Sequence, residues 1–168
     1  CHPETAYGRN KLLAEQMCQE FGITTVIARC FSFCGPYLDH RSHFAIENFI
    51  RACLMNQDIV IEGDGTPVRS YLYSDDLVEW LFKLLIHGKH TCPYNVGSDQ
   101  AVSIKELAET VRTVLESHNK IIIKGAPVPG MAPSRYIPDI QRATEELHLS
   151  VKTSLPNAIR KTIKMNHD

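Results

Sequence analysis

At 168 residues, with 43% hydrophobic and 22% charged side chains, the chain holds enough apolar material for one ordinary core. Its formal charge of −1 offers no electrostatic footprint for nucleic acid or an anionic membrane surface, so neither is an expected partner. The longest hydrophobic stretch, Leu77 to Ile86, is interrupted by Glu79 and Lys83 and falls short of the roughly 20 residues of a membrane span.

In chain order, Leu12, Leu13, Met17 and Phe21 recur at helical spacing and predict a helix from Glu4 or Thr5 to Phe21, closed by Gly22. Thr24 to Phe31 is β-branched and apolar and reads as a buried strand leading into Gly35-Pro36. His43 to Leu54 predicts a second helix ending at Asn56, followed by a short strand, Ile59 to Glu62, and a Gly63-Asp64-Gly65 turn. Arg69 to Tyr73 reads as one strand. Ser74 or Asp75 is the expected cap of a helix running to about His87, and Ser103 with Glu106 forms a capping box for a helix from Ile104 to Leu115.

Ile121 to Lys124 is a further strand. Gly125 to Pro138 carries four prolines and two glycines and predicts an ordered loop without regular structure. Two helices close the pattern, Gln141 to Leu147 and Leu155 to Met165, the second with Pro156 in its first turn.

The six cysteines contain no Cys-x-x-Cys pair and several lie in apolar periodic stretches, which fits reduced thiols and a cytoplasmic location. The histidines are scattered. There is no His-Glu-x-x-His, and the nearest pairs, His40 with His43 and His87 with His90, flank a loop and a helix end, so no metal is expected.

Tyr7 and Lys11 stand one helical turn apart and share a face. A phenol removes protons poorly at neutral pH, since an ordinary tyrosine titrates near about pH 10, and a neighbouring ammonium favours its anion. Downstream come Arg29-Cys30-Phe31-Ser32-Phe33-Cys34-Gly35-Pro36, then Gly63-Asp64-Gly65, Arg69-Ser70-Tyr71-Leu72-Tyr73 with Asp75-Asp76, and Tyr94-Asn95-Val96-Gly97-Ser98. In that order the motifs resemble the extended short-chain dehydrogenase/reductase family, in its nucleotide-sugar epimerase and dehydratase branch. The likeness runs from Tyr7 to about Leu149.

The resemblance implies an α/β fold comprising the C-terminal part of such an enzyme: the end of a Rossmann sheet plus a smaller mixed α/β substrate-binding subdomain. Residues 1–36 would be the terminal helix and strand of the Rossmann domain. Residues 37–168 would be mostly the substrate-binding subdomain, with segments returning to the first. No Gly-x-Gly-x-x-Gly turn occurs, and Gly63-Asp64-Gly65 precedes no helical pattern, so the chain reads as a fragment without the dinucleotide-binding half.

Carried over by motif, Tyr7 takes the proton from a sugar hydroxyl and Lys11 binds the ribose of NAD, with NADP an alternative cofactor. The sugar is transiently a ketone. Cys30 and Phe31 would lie near the cofactor and Ser32 near the substrate. Arg69, in the pattern Gly-Asp-Gly-x-x-x-Arg, resembles the arginine that grips a diphosphate, a role suited to a planar five-donor fork. The plainer alternative is an ion pair with Asp75 or Asp76.

His43 and Phe44 fall where relatives touch the sugar nucleotide, Val60 and Glu62 where they line the base pocket, and Arg135 in the last substrate segment. A nucleotide-diphosphate sugar is thus the implied substrate, and epimerase is not separated from dehydratase. A homodimer through the tyrosine-bearing helix is a further implication, which the stripe Leu12, Leu13, Met17 permits. Two other readings stand beside this one: a noncatalytic module binding a sugar nucleotide or a protein through the Arg69 pocket, and an enzyme for a small ketone or alcohol. Arg69 argues against the last, since a neutral substrate has no use for a diphosphate clamp.

Overall fold

A computed structural model describes residues 3–22, 24–36 and 44–165. Helix α1, Ala6–Glu20, starts where the Thr5 side chain accepts the Gly8 amide and ends before Gly22, whose φ of +67° only glycine adopts freely. None of its residues is buried. It is held to strand β1, Ile27–Cys30, by Glu15, which takes both Arg29 Nε at 2.8 Å and Arg29 Nη2 at 2.5 Å. At its far end Gln19 donates to the Thr91 carbonyl.

β1 is shorter than predicted and only half-buried on alternate residues, a correction to the expected buried strand over Thr24 to Phe31. Its one partner among the described residues is β6, Pro93–Val96, parallel and in the register Ile27 with Pro93 to Cys30 with Val96. The other edge opens on a groove, so Ala28 and Cys30 stay exposed. β2, Phe33–Cys34, runs parallel to β5, Leu72–Tyr73.

The predicted strand Arg69 to Tyr73 is in fact two. β4, Val68–Arg69, pairs antiparallel with β7, Val102–Ser103, whereas β5 pairs with β2; Ser70 and Tyr71 carry the chain between the two sheets. Periodicity did not reveal β2, β6 or β7, because strands of two to four residues are too short to show alternation.

Helix α2, Ala45–Leu54, begins two residues later than predicted, with Phe44 at the N-cap and Asn56 at positive φ beyond its end. Strand β3, Ile59–Ile61, lies parallel to β8, Ile121–Ile123. Helix α4, Ile104–Val114, has the predicted capping box, Ser103 Oγ accepting the Glu106 amide while Glu106 accepts the Ser103 amide. α2, β3, α4 and α6, Leu155–Met165, enclose one core of Ile46, Phe49, Ile50, Ile59, Leu107, Val111 and Ile159.

Helix α3, Ser74–His87, has Tyr73 at its N-cap without a side-chain cap bond, so neither Ser74 nor Asp75 caps it. Asp76 is turned inward instead, accepting the amides of Lys152 at 3.1 Å and Thr153 at 2.9 Å. Trp80 and Leu84 of α3 pack with Tyr94 and Val96 of β6 and with Ala143 and Leu147 of α5, Gln141–Leu147, in a second core. No described helix is long and apolar enough to cross a membrane.

Between β8 and α5 the chain forms the predicted irregular loop. Gly125 seals its start: an added Cβ would lie 2.6 Å from the Gly63 carbonyl carbon. Its end is clipped to β4, since Val68 donates to the Ser134 carbonyl, Tyr136 donates to the Val68 carbonyl, and Val68 bridges Arg135 in parallel register.

Candidate active-site groove

α1, the open edge of β1 and the end of the loop enclose a groove of about 600 Å³. Tyr7 and Lys11 line it from the helix, Cys30 and Phe31 from the end of β1, and Tyr136 from the loop. Lys11 Nζ lies 5.5 Å from the centroid of the Tyr7 ring, so the one-turn spacing does bring ammonium and phenol together. The phenol is accessible, with Tyr7 73% exposed. Partial burial of the Cys30 thiol pushes its pKa up, which disfavours the thiolate on this wall of the groove.

Tyr136 is the groove residue that motif reasoning passed over. Its ring stacks on Phe31 at a centroid distance of 4.7 Å and an interplanar angle of 28°. The signal was an aromatic in an otherwise small-residue, proline-rich loop, inside the run Arg135-Tyr136-Ile137-Pro138-Asp139.

Through the same loop the groove connects to Arg69. Its Nη1 donates to the Val68 carbonyl at 2.8 Å and the Ser134 carbonyl at 3.2 Å, leaving Nε and Nη2 without protein acceptors among the described residues. The expected alternative, an ion pair with Asp75 or Asp76, is absent among the described residues, and Asp76 is occupied by Lys152 and Thr153. Strand alternation puts Arg69 on the face of Ser134 and Tyr136, while Arg135, bridged to Val68, takes the opposite face. The two arginines therefore do not converge.

The other candidates are dispersed. Ser32 is half-buried, and its carbonyl accepts the Leu72 amide at 3.1 Å, which aligns β2 with β5. Phe44 is exposed at the N-cap of α2. Val60 on β3 and Glu62 just beyond it are exposed and not among the groove lining, with Glu62 paired to Lys124 at 2.9 Å. His43 lies outside the described residues. Among the described residues no group of three or more His, Cys, Asp or Glu side chains is placed to hold a metal ion.

The sequence and the fold were compared with those of known proteins. Residues 1–97 match the sequence model of the NAD dependent epimerase/dehydratase family. The chain belongs to that family. Among curated relatives, UDP-glucuronic acid decarboxylase 1 of Arabidopsis thaliana is 29% identical over 163 residues, covering 95% of this chain and 37% of the relative.

Among solved structures, UDP-glucuronic acid 4-epimerase from Bacillus cereus, in complex with UDP-glucuronic acid and NAD, is 27% identical with a TM-score of 0.80, covering 97% of this chain and 52% of that one. UDP-glucose 4-epimerase from Thermotoga maritima superposes with a TM-score of 0.86 at 24% identity, over 99% of this chain and 54% of that one. This family member therefore has the α/β architecture of extended short-chain dehydrogenases, and spans about half or less of the length of the relatives it matches.

Proposed function

We propose that the chain carries the proton-transferring pair and the diphosphate grip of an NAD-dependent enzyme that oxidises a UDP-sugar hydroxyl to a transient ketone, as an epimerase, a decarboxylase or a dehydratase. The observation that carries this is the Lys11 ammonium over the Tyr7 ring inside a groove that the Phe31–Tyr136 stack joins to Arg69. The names of the relatives, several of which act on UDP-sugars, support the substrate class.

The groove fits the nicotinamide end of a dinucleotide, offering a phenol and an ammonium on one wall and an aromatic ring with a neutral thiol on the other. NAD, when bound, supplies the hydride acceptor. Lys11 Nζ would hold its ribose, with Cys30 and Phe31 against the ring. Tyr7 Oη would take the proton from the sugar hydroxyl, which its exposure permits. Arg69 Nε and Nη2, preset by the Nη1 bonds to the loop, would clamp the diphosphate. Val60 and Glu62 would stand nearer the base than the chemistry. Reduced cysteines suit a cytoplasmic enzyme, and the exposed Leu13 and Met17 of α1 suit a homodimer.

The test is a nucleotide-sugar panel assayed with the intact gene product and NAD. Tyr7→Phe should cut turnover about 10²–10⁴-fold while leaving UDP-sugar affinity in place. Arg69→Lys should weaken affinity, because a point charge cannot replace the fork. A protein that binds the sugars but turns none over would be a binding module, and unimpaired turnover by Tyr7→Phe would end the proposal.

A further inference from the structure

Glu47 stands in the first turn of α2 at 3% exposure, and its Oε2 has no hydrogen-bond partner. A buried ion without a partner is far costlier than a buried neutral acid, so burial favours the protonated carboxyl and pushes its pKa up. β2 presents Cys34, whose thiol is pushed up to about 12, chiefly by burial. Tyr71, between β4 and β5, is pushed up by burial and by Glu47, with Arg69 acting in the opposite direction.

α3 adds Asp76, and α6 adds Lys161, whose ammonium lies over the Tyr73 ring at 4.8 Å. α4 adds Arg112, which acts on Cys53 at the other end of α2, and β3 contributes only isoleucines and a valine. No described basic side chain couples to Glu47 itself.

We propose that Glu47 is a proton-operated clasp: uncharged, it seats the first turn of α2 against β2 and Tyr71, and on losing its proton to solvent it forces that turn outward. The Phe44 end of α2 and Tyr71, whose phenol also feels Arg69, are then held together only while the carboxyl is neutral. The link to substrate rests on the diphosphate role of Arg69 given above; the clasp itself does not.

Unfolding of wild type and Glu47→Gln, compared from pH 4.5 to 8.5, tests it. Glutamine keeps the shape and cannot ionise. A carboxyl whose folded pKa is raised stabilises fully below the unfolded value of about 4.3, and that stability is lost as pH rises through the folded value. The wild-type folding constant should therefore fall relative to the variant by up to about tenfold per pH unit inside that window. Parallel pH profiles overturn the clasp.

If the variant fails to fold, titration of the ¹³C-labelled Glu47 carboxyl in wild type decides, an ordinary midpoint being fatal. Amide exchange should show the high-pH loss of protection confined to residues 45–49, and a uniform loss would also be fatal. Titrated UDP should bind wild type at pH 6 and lose affinity at pH 8.5, with the variant unaffected. If UDP binds at neither pH, the Arg69 role and the substrate link fall, while the unfolding comparison still judges the clasp.

Discussion

The Phe31 ring lies flat against Tyr136, 4.7 Å away, and this contact ties the end of β1 to the loop that returns from β8. It joins the groove wall to the segment clipped on β4, so one loop contacts both the groove and Arg69. Tyr136→Ala should lose about 0.5–1.5 kcal/mol of stacking and expose residues 126–133 to protease, whereas Tyr136→Phe should keep both. Urea unfolding and timed proteolysis read the two effects, and equal behaviour of the two variants would mean the stack holds nothing.

Glu15 and Arg29 make a two-pronged pair that ties a helix without buried residues to its strand. The Arg29 hydrogen bond holds the Glu15 carboxyl below the usual carboxylate range, against an opposing effect of burial. A lowered folded pKa contributes stability above the unfolded value of about 4.3, lost as pH falls through the lowered value. Acidification below pH 4 should thus release α1 before the rest unfolds, and Glu15→Gln should release it at neutral pH at a cost of about 1–2 kcal/mol. Backbone NMR of residues 6–20 follows this directly.

Asp76, 4% exposed, accepts the Lys152 and Thr153 amides and the Thr153 hydroxyl. Asp76→Ala leaves those donors unmatched near the core and should cost about 2–3 kcal/mol in urea unfolding. A loss below half a kcal/mol would show that water replaces the carboxylate without penalty.

Gly125 passes the Gly63 backbone too closely for any side chain, an added Cβ meeting the Asp64 nitrogen at 2.8 Å. Gly125→Ala should separate the start of the loop from the Gly63-Asp64-Gly65 turn and destabilise by about 1–3 kcal/mol. Thermal unfolding measures it, and an unchanged midpoint would contradict the close approach.

The site was legible where chemistry lies within one turn or one motif. Tyr7 and Lys11 needed only helical periodicity to meet, and Gly63-Asp64-Gly65 announced its turn. Tyr136 and Glu15 were not legible, because their partners Phe31 and Arg29 are 105 and 14 residues away. The Arg69–Tyr73 run looked like one strand because β-propensity does not reveal which neighbour a strand pairs with.

By itself the sequence determined its helices, the Ser103–Glu106 capping box, the irregular proline-rich loop and the pairing of a phenol with an ammonium. These follow from residues within a few positions of each other, whose energetics are complete in the local chain. Only the tertiary structure decided that Arg135 turns from Arg69, that Asp76 faces inward, and that Glu47 sits in the core. Each of those depends on sheet register or on burial, which exist only once distant segments have packed and water has left.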